Sequence, residues 1–261
     1  MKYYEGGNRM SGHSKWSTIK NKKGKADAAR GKVFTKLAKA ISVAAKEGGP
    51  DPELNAKLRD AITKAKGNNM PNDNIARAIK RGLGSTDGDQ FEEIIYEGYG
   101  PNGVAFLVQT LSDNRNRTAS EMRYIFSRNS GNLGETGCVS WLFEQKGIIT
   151  VAKENINMNE EELLEFMLEI GADDVQLVED YYEITTEVSE LETVRNLLAE
   201  KTSIEEAGLS FIPNNTVEVS GETAVTLLKL VDALEEHDDV QNVYANFEIS
   251  DEELEKLKTD L

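Results

Sequence analysis

The spacing of apolar residues is helical throughout up to about residue 84 and then mixes strand and helix periods, and that change limits what the chain can fold into. Val33, Phe34, Leu37, Ala38, Ile41, Ala44 and Ala45 form one face of a helix predicted over 26–47, which Gly48-Gly49-Pro50 ends. Asp51-Pro52 reads as the N-cap and first turn of a second helix, with Leu54, Leu58, Ala61, Ile62 and Ala65 inward. A third helix follows the turn "NNMPNDN", with Ile75, Ala78 and Ile79 inward and Arg77, Lys80 and Arg81 outward.

After the polar link "GSTDGDQ" strands begin. "FEEIIYEGYGPNGVAFLVQTL" reads as strand, tight turn and strand. Gly98, Gly100 and Gly103 match the G-x-G-x-x-G spacing of dinucleotide sites, which require a helix after the glycines. "VAFLVQT" is strand-like instead, so a hairpin is expected and no nucleotide site. A helix over 115–129 turns Ala119, Met122 and Phe126 inward. From 147 to 213 the order is βαββαβ, the ferredoxin-like arrangement, with Asn159/Glu162 and Ser189/Glu192 as helix starts. A strand "NTVEVS", a helix over 222–237 and a strand over 240–249 follow. They would supply the half missing from the sheet begun at 92, with paired crossings near 133 and 214.

The expected fold class is therefore α+β multidomain, an N-terminal helical bundle plus two α+β domains, one ferredoxin-like and inserted in the other. The expected divisions are a basic arm and bundle at 10–84, an α+β domain from 85–133 plus 214–250, and the insert at 134–213. Residues 1–9 are expected to be a non-native or mis-annotated extension. Glu5-Gly6-Gly7 can be encoded by a purine-rich sequence like a bacterial ribosome-binding site, just upstream of a start at Met10.

The net charge of −16 conceals a partition. Residues 1–84 hold 19 Lys and Arg against 7 Asp and Glu, a net +12. The remainder holds 11 against 39, a net −28. Such asymmetry points to a polyanion-binding element joined to an acidic body. "MSGHSKWSTIKNKKGKADAARGK" carries six lysines and Arg30 against Asp27 alone, with Trp16 among them. Lys25, Lys32, Lys36, Lys39 and Lys46 fall on one narrow helical stripe opposite the apolar face. The candidate nucleic-acid-binding residues are thus Lys15, Trp16, Lys20, Lys22, Lys23, Lys25, Arg30, Lys32, Lys36 and Lys39. The lysines would hold phosphates and Trp16 would stack on a base or sugar. Arg117, Tyr124 and Arg128 share a second helical face and are secondary candidates, with pairing to acidic neighbours as the simpler explanation.

Other chemistry has little support. Cys138 is the only cysteine, and His13 and His237 are the only histidines, so no zinc-type cluster, disulfide or Ser-His-Asp order is available. No metal, cofactor, catalytic residue or small-molecule substrate is expected. The many carboxylates leave a metal-dependent hydrolase with an acidic cleft as a remote alternative. No apolar stretch reaches the roughly 18 residues of a membrane span, and the expected location is cytoplasmic.

The segment from Met10 to Gly82, with "YEGYGPNGVAFLVQTLSDNRNRTASEMRYIF" and "NLGETGCVSWLFEQKG", closely resembles the YebC/PmpR family, which includes a mitochondrial translational activator of cytochrome c oxidase. The resemblance runs to about residue 250. It implies a three-domain fold and a non-enzymatic cytoplasmic factor of gene expression, either a DNA-binding transcriptional regulator or a ribosome-associated translation factor that relieves stalling. No helix offers an evident set of base-reading Asn, Gln and Arg, so recognition of RNA by shape and backbone is the favoured expectation.

Overall fold

The computed structural model describes residues 27–84, 91–156, 158–178, 180–250 and 252–253. The chain is an α+β multidomain protein in two compact units. The first comprises the described residues of 1–39, 86–143 and 213–261, and the second those of 40–85 and 144–212.

In the first unit, β1 (Glu92–Tyr99) and β2 (Ala105–Ser112) pair antiparallel along their full length, from Glu92 opposite Ser112 to Tyr99 opposite Ala105. The glycine-spaced segment is the hairpin turn between them, closed by the Gly100 amide donating to Val104 O at 2.8 Å. The helix that a dinucleotide fingerprint needs is replaced by β2. Gly98 is required for another reason: a Cβ there would stand 2.7 Å from Asn132 O and 2.9 Å from a Phe126 ring carbon. After β2 come α4 (Arg115–Arg128) and the short β3 (Asn132–Leu133), and the sheet order is β3-β1-β2-β9, with β9 spanning Val240–Ala245.

Alternation along the strands puts Ile94, Tyr96, Phe106, Val108 and Val243 on one sheet face, which α4 and α7 (Gly221–Glu235) cover with Met122, Phe126, Leu227 and Val231. The strand expected over 240–249 is broken in two. Asn246 interrupts it, its side chain accepting from the Ala105 amide at 2.7 Å, and β10 (Phe247–Glu248) pairs instead with β8 (Val217–Glu218).

The segment after β3 folds around one carboxylate. Glu97 is buried at 4% exposure and accepts from the amides of Gly137, Val139 and Ser140 at 2.6, 2.7 and 2.8 Å. Burial opposes its ionisation, but those three amides outweigh it and hold the carboxyl below its usual range.

The second unit contains the rest of α1 (Asp27–Gly48) from Ala40 onward, α2 (Ala56–Gly67) and α3 (Asn72–Gly84). It also contains β4 (Phe143–Ala152) from Glu144, α5 (Glu160–Glu169), β5 (Asp174–Val178), β6 (Tyr181–Thr186), α6 (Leu191–Ala199) and β7 (Glu206–Pro213). The sheet order β5-β6-β4-β7 is that of a ferredoxin-like βαββαβ unit. Its core of Ile149, Val151, Leu163, Met167, Ile184, Val194 and Leu198 is drawn wholly from within that unit.

Two expected helix starts move. Asn159 and Glu162 form the full capping box on α5, but α6 begins after Glu190, whose side chain makes no cap, and Ser189 does not cap it. Asp51 does not cap α2 either: its carboxylate accepts the Glu53 amide in a local turn. Asn55 is the cap, accepting from Leu58 N at 3.1 Å and donating to Ala44 O and Gly49 O. The shift leaves Leu54, expected inside, 85% exposed.

Candidate nucleic-acid interface

The lysine stripe of α1 meets the wrong end of a helix for a free basic surface. Helix α7 ends in the run Asp232 to Asp239, which holds five acidic residues, and it has no basic residue in its last turn. Acids at a helix C-terminus oppose the macrodipole, and the last carbonyls of a helix lack intrahelical donors. Helix α1 supplies the missing cations. Lys32 donates to Glu236 O at 3.3 Å, Lys36 to Glu235 O at 2.5 Å, and Lys39 to Asp238 O at 3.2 Å.

Lys39 also pairs with Asp239 Oδ1 at 2.7 Å and lies 5.4 Å from the centre of the Phe91 ring. Burial pushes the Lys36 ammonium down to about 8, against the pull of Glu235 and Asp238. The exposure expected of the stripe therefore fails at Lys36 and Lys39, which are half-buried, and holds at Lys32.

Asp239 is the hub of this contact. Its second oxygen accepts from Arg117 and from the Thr118 hydroxyl, each at 2.8 Å. Burial raises its pKa, but the hydrogen bonds of Lys39, Arg117 and Thr118 outweigh that and hold the carboxyl well below the usual range. The Asp239 amide donates to His237 Nδ1 at 3.1 Å, which leaves Nε2 to donate to Glu121 Oε2 at 2.8 Å.

Glu121, His237 and Asp239 thus place three possible metal ligands within 4.8 Å of one another. Both Asp239 oxygens are already held by donors, two of them cationic, so the cluster works as an ion-pair network that ties α1 and α4 to the end of α7.

Of the secondary candidates, Arg117 is held by Asp113 at 2.8 Å as well as by Asp239, as the simpler explanation expected. Tyr124 is 64% exposed and Arg128 is exposed. Lys15, Trp16, Lys20, Lys22, Lys23 and Lys25 lie outside the described residues. Arg30 falls within α1, but its side chain also lies outside them. Asp239 was missed by sequence reasoning. The acid-only run at the end of α7 was the available signal, because such an end calls for cations from elsewhere.

Burial, then the Glu97 carboxylate, pushes the Cys138 thiol pKa up, which disfavours the thiolate. Among the described residues no helix is long and apolar enough to cross a membrane.

Residues 14–85 match the family described as the TACO1/YebC protein N-terminal domain, and residues 91–247 match the TACO1/YebC second and third domain. A probable transcriptional regulatory protein of Pelotomaculum thermopropionicum is 56% identical over 243 residues, covering 93% of this chain and 100% of that protein. One from Geobacter sulfurreducens is 56% identical over 250 residues, covering 95% of this chain and 100% of that protein. The crystal structure of a conserved hypothetical protein from Aquifex aeolicus superposes with a TM-score of 0.79 at 52% identity, covering 87% of this chain and 93% of that one.

Proposed function

Since the chain belongs to the TACO1/YebC family, we propose that it is a non-enzymatic, cytoplasmic regulator of gene expression. It holds RNA of the ribosome through its basic arm and acts as a translation factor that relieves stalling. The observation that carries this reading is the charge partition, +12 over residues 1–84 beside −28 over the rest. A solvated basic face does not account for that asymmetry, whereas an arm that binds phosphates on an acidic body does.

Because Lys36 and Lys39 are committed to the end of α7, phosphate binding falls mainly to Lys15, Lys20, Lys22, Lys23 and Lys25, with Trp16 stacking. The second reading, a DNA-binding transcriptional regulator, is favoured by the names its relatives carry.

The test changes the five arm lysines to Gln and measures RNA and ribosome binding across a salt series. Binding should weaken, and the slope of log K against log salt should flatten by about 0.7 to 0.9 for each phosphate no longer neutralised. Trp16→Ala should lower affinity without altering that slope, because stacking releases no counterions. Cosedimentation with ribosomes should survive DNase treatment. Sequence-preferring duplex binding at physiological salt, with competitor present, would select the transcriptional reading. A five-lysine variant that binds as its parent does, with the same slope, removes the arm from the interface.

A further inference from the structure

The outer face of α4 carries the opposite sign from the body it belongs to. Residues 85–261 contain 11 Lys and Arg, and four of them, Arg115, Arg117, Arg123 and Arg128, fall within this one 14-residue helix beside a single acid, Glu121. Helix α5 shows what the rest of the body does: five glutamates and no basic residue in 10 positions.

The four arginines of α4 divide by partner. Arg117 is held by Asp113 and Asp239, and Glu121 is held by His237. Arg115, Arg123 and Arg128 are exposed, and among the described residues their side chains form no ion pair or hydrogen bond. Arg128 in the last turn suits the helix dipole, but Arg123 lies mid-helix and Arg115 stands at the N-terminal end, where a cation is unfavourable. Helix stability therefore does not explain the set.

Helical spacing brings Ser120, Arg123, Tyr124, Ser127 and Arg128 to one side. Tyr124 is 64% exposed, and the two serine hydroxyls donate to Asn116 O and Tyr124 O at 2.9 and 3.0 Å. The opposite side, with Thr118, Met122 and Phe126 fully buried, fixes the helix to the core.

Resting on the nucleic-acid reading above, we infer that this face is a second binding surface for a single nucleic-acid strand. Arg123 and Arg128 hold phosphates, and Tyr124 stacks on an unpaired base. Charge complementarity selects the occupant, since an acidic body repels a polyanion everywhere except at such an island. A planar ring between two arginines fits a strand with accessible bases better than a closed duplex.

The test is fluorescence polarisation of the full chain with a labelled 12-nucleotide single-stranded RNA and with a duplex of the same length. The parent, the five-lysine arm variant, Arg123→Gln with Arg128→Gln, and Tyr124→Ala are compared. The double arginine variant should bind both probes more weakly, with the salt slope flattened by about 1.4 on the single strand, two phosphates at about 0.7 each. Tyr124→Ala should lose about 5- to 100-fold on the single strand alone, with the slope unchanged. Melting curves should match the parent's, because all three side chains are exposed.

If the arm variant loses affinity while the α4 variants bind as the parent does, the α4 inference is overturned and the arm reading stands. If the parent binds neither probe, both are overturned. Weaker ribosome cosedimentation with unchanged RNA binding would show that this face meets protein, which also overturns it.

Discussion

Lys39 and Asp239 are 200 residues apart in sequence and 2.7 Å apart in space, Nζ to Oδ1, with side chains 15% and 4% exposed. The pair joins α1 to the end of α7, and Asp239 also holds Arg117 and Thr118. Asp239→Asn should destabilise the protein by about 1.5 to 3 kcal/mol, the usual value of a hydrogen bond to a charged group. The sign with pH follows from its depressed carboxyl: its contribution is full above the unfolded value of about 3.9 and is lost as pH falls below it. Urea unfolding at pH 7 and pH 3 should show the variant less sensitive to acid than the parent. Equal acid sensitivity would mean the carboxylate is not held as described.

Lys36 gives the opposite window. Burial pushes its ammonium from 10.5 down to about 8, so between those values the unfolded chain holds the extra proton. Its share of the stability therefore rises with pH across that interval, while below pH 8 the full cost of the buried charge is present. Lys36→Met should flatten stability against pH between 8 and 10, by about 1 to 3 kcal/mol. A parent-to-variant difference that stays constant over this range would contradict the burial.

Gly98→Ala should cost about 1 to 3 kcal/mol, the range for overpacking a filled core. The added methyl would stand 2.7 Å from the backbone oxygen of Asn132 and 2.9 Å from the fully buried Phe126 ring, closer than van der Waals contact allows. Thermal unfolding of the variant measures the cost, and an unchanged melting temperature would refute the close approach. Titration of the parent with NAD or ATP should give no saturable heat, as a hairpin turn offers no helix N-terminus for a pyrophosphate.

Glu97→Gln should loosen the segment 134–140. An amide has one acceptor oxygen where the carboxylate uses two, and its NH2 would face a backbone amide at Gly137 or at Val139 and Ser140. Hydrogen exchange of those three amides should accelerate while exchange in β2 stays slow. Uniform protection would show that the segment is held by other interactions.

A fragment of residues 134–213 is expected to fold alone, because the core of β4 to β7 draws only on its own residues. Its ion pairs to α2 are Arg59–Glu192, Arg195–Asp60 and Lys64–Glu206 at 2.6, 2.7 and 2.9 Å. Such partly exposed pairs contribute little, about 1 kcal/mol or less. A cooperative urea transition is the expected result, and its absence would move the domain boundaries.

The elements were legible where a local rule set them. The period of Leu37, Ile41 and Ala45 marks α1, the alternation of Ile94, Tyr96 and Gly98 against Phe106 and Val108 marks the hairpin, and Asn159 with Glu162 marks the start of α5. Charge partition was also a property of sequence, since net charge over a segment does not depend on packing. The neighbours of each charged face were decided only by tertiary structure. Lys36 and Lys39 lie opposite the apolar face of α1 as their spacing requires, yet they are half-buried because the acceptors at the end of α7 are 199 and 200 residues away. Helical period assigns a side chain to a face; what that face meets depends on long-range packing, and here an acid-rich helix end with no cations of its own selected it.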